Sequence, residues 1–187
     1  MTTATYYLRP DGNWGDTQVW TDFGDGLWDT IHDAVGDSVA SHPTTVLART
    51  RGTSSDKWNF NRGVLGWDTS AIDDATVIDS AKVRLYCTLI TVTELTGAYI
   101  GIYQSSPASD ASVVVNDYST LGSTLLSIQK LVTTITAGTW VEFTLNDAGI
   151  ALINKTGFTN FGIRISYDAL DSEPGPAGQK RAASVLF

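Results

Sequence analysis

The segment Arg62–Tyr86, RGVLGWDTSAIDDATVIDSAKVRLY, decides the fold class of this chain. It opens with a run of β-formers and closes with Lys82–Tyr86, in which polar and apolar residues alternate. Alternation with a period of two is typical of a strand that has one buried face. Between the two runs, Asp68 and Ser70 are spaced to close an Asx-type turn. The segment therefore predicts two strands joined by a turn-rich connection.

Similar runs recur on both sides of this segment, separated by Gly, Asp, Asn and Ser. The predicted strands are Thr5–Leu8, Gln18–Thr21, Thr45–Thr50, Asn59–Asp68, Thr76–Thr93, Ala98–Gln104, Leu125–Lys130, Thr139–Leu145, Phe161–Tyr167 and Ala182–Phe187. Many short strands with regular turn signals indicate an all-β fold, an antiparallel sandwich of the jelly-roll type. The strand Thr76–Thr93 should bury one face and expose the other; the expected buried residues are Val83, Leu85, Cys87 and Leu89.

Two short helices are predicted at the ends of the sandwich. Leu27–Val35 ends at Gly36, and Asn146–Asn154 begins with an Asn that is suited to capping a helix. The stretch Asp168–Lys180 is rich in Gly, Pro, Ser and Glu, which predicts an exposed, mobile loop. With 187 residues and no linker-like break, the whole chain, 1–187, is expected to form one domain.

Composition excludes several classes of protein. The net charge of −8 would repel a polyanion, so nucleic-acid binding is not expected. No run of apolar residues is long enough to cross a membrane, and no signal peptide is visible. The single cysteine, Cys87, lies in an apolar run and is expected to be buried, which does not suggest a chain built for an oxidising compartment.

The segment Arg62–Tyr86 resembles DNRLRE-type domains and their relatives among carbohydrate-binding modules. The likeness lies in an Arg, a strand that ends in an aromatic–Asp–hydroxyl–Ser step, and a second strand that begins with Ser-Ala. A later strand at Trp140–Asn146 and another at Gly157–Arg164, with a short helix between them, follow a similar order. The resemblance covers residues 45–187, whereas residues 1–44 fit it less well. It implies a sandwich of a kind that serves in sugar binders, adhesins and virion surface proteins.

The first part of the chain resembles the openings of phage-encoded virion proteins, both in Tyr7–Gly12 and in Trp28–Asp33. This resemblance implies a virion surface component, either a capsid decoration protein or a head or tail fibre protein, with weak glycan adhesion. Such a protein would assemble in the host cytoplasm and contact other virion proteins, copies of itself or cell-surface glycans. The alternative is an extracellular carbohydrate-binding module of a polysaccharide-active system.

No catalytic constellation is apparent in the sequence. The two histidines, His32 and His42, have no neighbouring nucleophile motif, and most carboxylates stand where turn chemistry explains them. We therefore expect a protein that is not an enzyme and has no cofactor. Calcium is the one metal for which the sequence offers a candidate site, because a short loop contains the oxygen donors Asp11, Asn13 and Asp16. A plain turn, in which these side chains bind local backbone, is the alternative.

The six tryptophans divide by their surroundings. Trp67 and Trp140 lie in predicted strands and are expected in the core. Trp14 and Trp58 lie in polar, loop-like stretches, and together with Tyr118 they are the predicted ligand-binding platform, since exposed aromatic rings bind partners.

Overall fold

The computed structural model describes residues 3–6, 17–41, 45–52, 57–110, 112–175 and 181–187, with backbone alone for 17–25, 40 and 41. Within these ranges the strands are β1 (Thr17–Gly26), β2 (Ser38–Ser41), β3 (Leu47–Gly52), β4 (Trp58–Asp68), β5 (Lys82–Cys87), β6 (Leu89–Thr93), β7 (Tyr99–Ser105), β8 (Leu121–Leu125), β9 (Lys130–Leu131), β10 (Thr139–Thr144), β11 (Phe158–Ile165) and β12 (Ala182–Leu186). The helices are α1 (Trp28–His32), α2 (Asp147–Ala151) and α3 (Ser166–Ala169), with 3-10 turns at Val115–Thr120 and Val132–Thr134.

The strands form two sheets, and their strand pairs are antiparallel. The larger sheet has the order β6-β12-β3-β4-β11-β7-β8, with β1 attached to β4, β2 attached to β1 and β9 attached to β7. The smaller sheet consists of β5 and β10. The inner faces of both sheets share one hydrophobic core, in which Phe143 of β10 meets Phe187 with ring centroids 6.1 Å apart. The predicted all-β, sandwich-like class is confirmed.

Strand β4 organises the larger sheet. Its first half pairs with β3 as far as Asn61, and its second half pairs with β11 from Gly63 onward. β1 pairs with β4 at Trp58 and from Phe60 to Val64, which places it along the opposite edge. β3 and β11 therefore share one edge of β4, and the edge changes partner at Arg62.

A glycine is required beside this change of partner. A Cβ added at Gly63 would lie 2.3 Å from Cγ2 of Val46 and 2.6 Å from Cγ2 of Ile163. Both neighbours are β-branched and fully buried, so neither can turn aside easily. The close approach of Val46, just before β3, and of Ile163 in β11 to β4 thus depends on the missing side chain.

The decisive segment folds largely as its sequence predicts. Asp68 accepts hydrogen bonds from the Ser70 amide (3.1 Å) and the Ser70 hydroxyl (2.6 Å), which confirms the Asx-type turn. Val83, Leu85 and Cys87 are buried, as expected.

The predicted strand Thr76–Thr93 is too long. It starts only at Lys82 and breaks at Thr88, whose backbone and hydroxyl both donate to the carbonyl oxygen of Leu186. This break resets the alternation, so Leu89 is exposed rather than buried.

Other element boundaries differ as well. The predicted strand Leu125–Lys130 is wrong, because β8 ends at Leu125 and β9 begins at Lys130, with an isolated bridge from Ser127 to Leu145 between them. Both predicted helices are shorter than expected; in α2 the Asn146 side chain accepts a hydrogen bond from the Gly149 amide, which confirms the predicted cap. Thr5 and Tyr6 are not in a strand, and the rest of the predicted strand Thr5–Leu8 lies outside the described residues.

No helix in the described part of the chain is long and apolar enough to cross a membrane.

Replacing Gly63 with alanine should lower the free energy of unfolding by about 1–3 kcal/mol, because the added methyl group overpacks a core that is already filled. Urea denaturation measures the effect. Gly122→Ala is the matched control in β8, since the nearest atom to its added Cβ is 3.6 Å away and no shift is needed. Equal stability losses in the two variants would contradict the close approach at Gly63.

Candidate functional site

A buried carboxylate holds two strands to the segment that follows β11. Asp168, in α3, is 1% exposed, and Arg62 and Arg164 are each 3% exposed. The Arg62 Nε donates to both Asp168 carboxylate oxygens at 3.1 and 3.0 Å, and its Nη2 donates to Oδ1 at 2.7 Å. The Arg164 Nε donates to Oδ2 at 2.8 Å. We call these three residues the ionic cluster.

The Nη atoms of Arg62 and Arg164 also donate hydrogen bonds to backbone. They donate at 2.9–3.0 Å to the carbonyl oxygens of His32, Tyr118, Leu121, Gly122 and Asp168. The Arg62 guanidinium carbon also lies 3.7 Å from the centroid of the Tyr118 ring. The ionic cluster therefore joins α1, the 3-10 turn before β8, β8 itself and α3 to strands β4 and β11.

Charge outweighs burial in setting the pKa values of Asp168 and Arg164. Burial alone would raise the pKa of Asp168, but the two guanidinium groups and their hydrogen bonds hold that pKa well below its usual range. Burial alone would lower the pKa of Arg164, and the Asp168 carboxylate reverses that effect and raises it. Asp168 and Arg164 are therefore charged at neutral pH.

An open cleft of about 660 Å³ lies over the ionic cluster, and His32, Asp33 and Asp171 are part of its lining. The Nδ1 atom of His32 is 2.8 Å from Oδ1 of Asp33 and 3.5 Å from Oδ1 of Asp171. Because both carboxylates contact the same His32 atom, the distance between them is within the roughly 10 Å that separates the two carboxyl groups of a glycosidase. A glycosidase, however, needs carboxyl groups in contrasting environments. Here both side chains are mostly exposed, at 77% and 56%.

The predicted ligand platform is wrong where the structure describes it. Trp58 is 2% exposed, and its indole N–H donates to Glu173 at 2.8 Å. Tyr118 is fully buried, and its hydroxyl donates to the carbonyl oxygen of Ile31. Both rings lie under α1, because α1 covers the face of β4 that carries Trp58 and Arg62.

The other predicted site residues lie outside the described residues. They are Trp14, of the ligand platform, and the calcium candidates Asp11, Asn13 and Asp16. Among the residues that the structure does describe, no three His, Cys, Asp or Glu side chains are grouped to hold a metal ion.

The outer face of the smaller sheet carries an exposed aromatic pair. Tyr86 of β5 and Trp140 of β10 stand directly opposite each other in the register, with ring centroids 5.4 Å apart and planes at 71°. Tyr86 is 44% exposed and Trp140 is 59% exposed. Tryptophan is seldom left this open, which makes the pair a candidate binding surface.

Three charged side chains lie beside the aromatic pair, toward the start of β5. Oε2 of Glu142 lies 3.3 Å from the Lys82 ammonium and 3.7 Å from Nε of Arg84. The Arg84 guanidinium carbon is 5.3 Å from the centroid of the Trp140 ring. These five residues (Lys82, Arg84, Tyr86, Trp140 and Glu142) are called the aromatic face from here on.

The expected core position of Trp140 is wrong. Strand β10 alternates, and its inward residues are Val141 and Phe143, which puts Trp140 on the same side as Glu142. The signal was present in the sequence, because a charged residue two positions away marks the solvent side of a strand. Trp140 was nevertheless expected in the core, because its indole ring has a large apolar area.

No protein-family model matches the chain, and comparison with curated proteins gives no match.

Replacing Asp168 with asparagine should lower the free energy of unfolding by about 3–5 kcal/mol, because two buried guanidinium groups lose their counter-charge. Glu142→Gln is the matched control: it also neutralises a carboxylate, but its exposed ion pairs contribute less than about 1 kcal/mol. Thermal and urea denaturation of both variants measure the difference. An Asp168→Asn protein as stable as Glu142→Gln would contradict the role of the ionic cluster.

Stability should fall in acid because of Asp168. Its pKa is depressed in the folded state, so its contribution is complete above the unfolded pKa of about 4 and is lost as the pH falls toward the lower, folded pKa. Urea midpoints measured from about pH 6 down to pH 2 should decline along this limb. The decline should be smaller in Asp168→Asn, and an unchanged decline would show that other carboxylates cause it.

Proposed function

We propose that this chain is a non-catalytic binding protein that adheres to carbohydrate through the aromatic face. The observation that carries the proposal is the exposed Trp140–Tyr86 pair on the outer side of the smaller sheet. A sugar ring has an apolar C–H side that can cover such rings and remove their surface from water. Its hydroxyl groups can form hydrogen bonds with the charged side chains that lie beside the pair.

The polar neighbours suit a hydroxyl-rich ligand. Glu142 offers carboxylate oxygens that accept hydrogen bonds from hydroxyl groups, and Lys82 offers N–H donors. Each is about half exposed, at 43% and 53%, so a ligand can reach it without displacing the fold. An apolar surface with a few convergent polar groups is the usual composition of a small-ligand site.

A protein partner fits this surface less well. The apolar part is two rings wide, whereas a stable protein interface buries about 800 Å² on each partner and has a larger apolar centre. Size-exclusion chromatography tests self-association directly, and a dimer abolished by Trp140→Ala would replace the carbohydrate proposal with a protein interface.

Display on a phage virion surface is the setting that we propose for this binding. The support is the likeness of Tyr7–Gly12 and Trp28–Asp33 to the openings of virion proteins. An extracellular carbohydrate-binding module of a polysaccharide-active system is the alternative setting. Either setting uses the aromatic face in the same way, as a point of attachment that does not alter its ligand.

Trp140→Ala should abolish binding to the polysaccharides that the intact protein binds. The reason is that the Trp140 ring supplies most of the apolar area that a bound sugar would cover. A glycan array followed by isothermal titration measures the loss, which should exceed about tenfold in Kd. Tyr99→Ala is the matched control, since Tyr99 is an aromatic residue of β7 that is 43% exposed and lies outside the aromatic face. Binding that survives Trp140→Ala, or fails equally in Tyr99→Ala, would refute the proposal.

A further inference from the structure

We infer that the carbohydrate bound by the aromatic face is acidic and that Arg84 binds its carboxylate or sulfate group. This inference rests on the proposed function and specifies its ligand class. Its basis is a guanidinium group that is positioned by its neighbours yet keeps its hydrogen-bonding capacity, beside the rings proposed to hold the sugar.

Arg84 keeps its donors available. The side chain is 57% exposed, and its closest acidic contact, Nε to Oε2 of Glu142, is 3.7 Å, which is beyond hydrogen-bond distance. It donates no hydrogen bond to any residue in the part of the chain that the structure describes. A guanidinium group has five N–H donors in a planar fork that matches a carboxylate or sulfate group.

Arg84 is also held in place. It stands directly opposite Glu142 in the β5–β10 register, and its guanidinium group lies over the ring of Trp140. A side chain that is already oriented loses less conformational entropy when a ligand binds. These two contacts fix the group next to the aromatic pair without using its hydrogen bonds.

The charges of the aromatic face do not balance. Lys82 and Arg84 both approach the same oxygen of Glu142, so two positive charges share one negative charge. The chain as a whole has a net charge of −8. A local positive excess on an acidic protein favours an anionic ligand at this face and disfavours it elsewhere.

The spacing allows one ligand to meet both features. Arg84 and Tyr86 are two residues apart on β5, which is roughly 7 Å along a strand, and Trp140 lies across from Tyr86 on β10. A sugar that covers the rings therefore brings its own acidic substituent, or that of the next sugar, within reach of Arg84.

The ionic cluster does not offer a comparable anion site. The donors of Arg62 and Arg164 are already committed to Asp168 and to backbone carbonyl oxygens. The cleft above them also carries the carboxylates of Asp33 and Asp171, which repel an anion. Arg62 and Arg164 therefore bind within the protein, whereas the exposed Arg84 beside the aromatic pair is left for a ligand.

The test compares polygalacturonate, dextran sulfate and unmodified dextran by isothermal titration at low and high salt. The intact protein should bind at least one of the two acidic polymers about tenfold or more tightly than dextran, and this preference should shrink at high salt. The carboxylate and sulfate arms identify which acidic group is recognised.

Arg84→Gln should remove the preference for acidic polymers, so that their Kd rises to about that of dextran, while thermal stability stays unchanged. Arg51→Gln is the matched control, because Arg51 is an exposed arginine of β3 on the other sheet. An acid preference that persists in Arg84→Gln, or a protein that binds dextran as well as it binds both acidic polymers, overturns this inference alone. Polysaccharide binding that is absent, or is unaffected by Trp140→Ala, overturns the proposed function itself.

Discussion

Asp168 is a fully enclosed carboxylate, and an enclosed charge is tolerated only when opposite charges and hydrogen bonds replace the water it has lost. Its two arginine partners come from β4 and β11, which pair with each other along the larger sheet. Each arginine then uses its remaining donors on the carbonyl oxygens of neighbouring segments. One buried negative charge thus fixes the positions of both central strands and of the turns that cover them.

Two further hydrogen bonds hold the segment that follows Asp168. Asp171 accepts a hydrogen bond from the indole N–H of Trp28, and Glu173 accepts one from the indole N–H of Trp58, both at 2.8 Å. These bonds tie the segment to α1 and to the start of β4. The change of partner along β4 falls at Arg62, so the point where the sheet divides is also the point where the ionic cluster begins.

Local patterns in the sequence predicted the strands well but could not reveal the ionic cluster. Alternation placed β5 and β10, and the Asp68–Ser70 turn followed from residue types alone. Arg62 and Asp168, in contrast, are 106 residues apart, and no spacing rule joins them. Asp168 was expected in an exposed loop because Gly, Pro and Ser follow it. It is instead buried, and its ion pairs with Arg62 and Arg164 are the most deeply buried among the described residues. Trp58 misled in the same way: its polar neighbours suggested a loop, but it is the first residue of β4 and is covered by α1.

The ionic cluster stabilises the fold, and the aromatic face is the surface proposed to bind a ligand. In the larger sheet Arg62 and Arg164 bind within the protein, whereas the smaller sheet presents Arg84 and Trp140 outward. The most direct measurement is a ¹H–¹⁵N NMR titration of the intact protein with oligogalacturonate. The account predicts that shift changes concentrate on the Trp140 indole N–H and on the amides of β5 and β10, while those of Arg62, Arg164 and Asp168 stay in place. Shift changes centred on the cleft around His32, with the Trp140 indole unmoved, would contradict it.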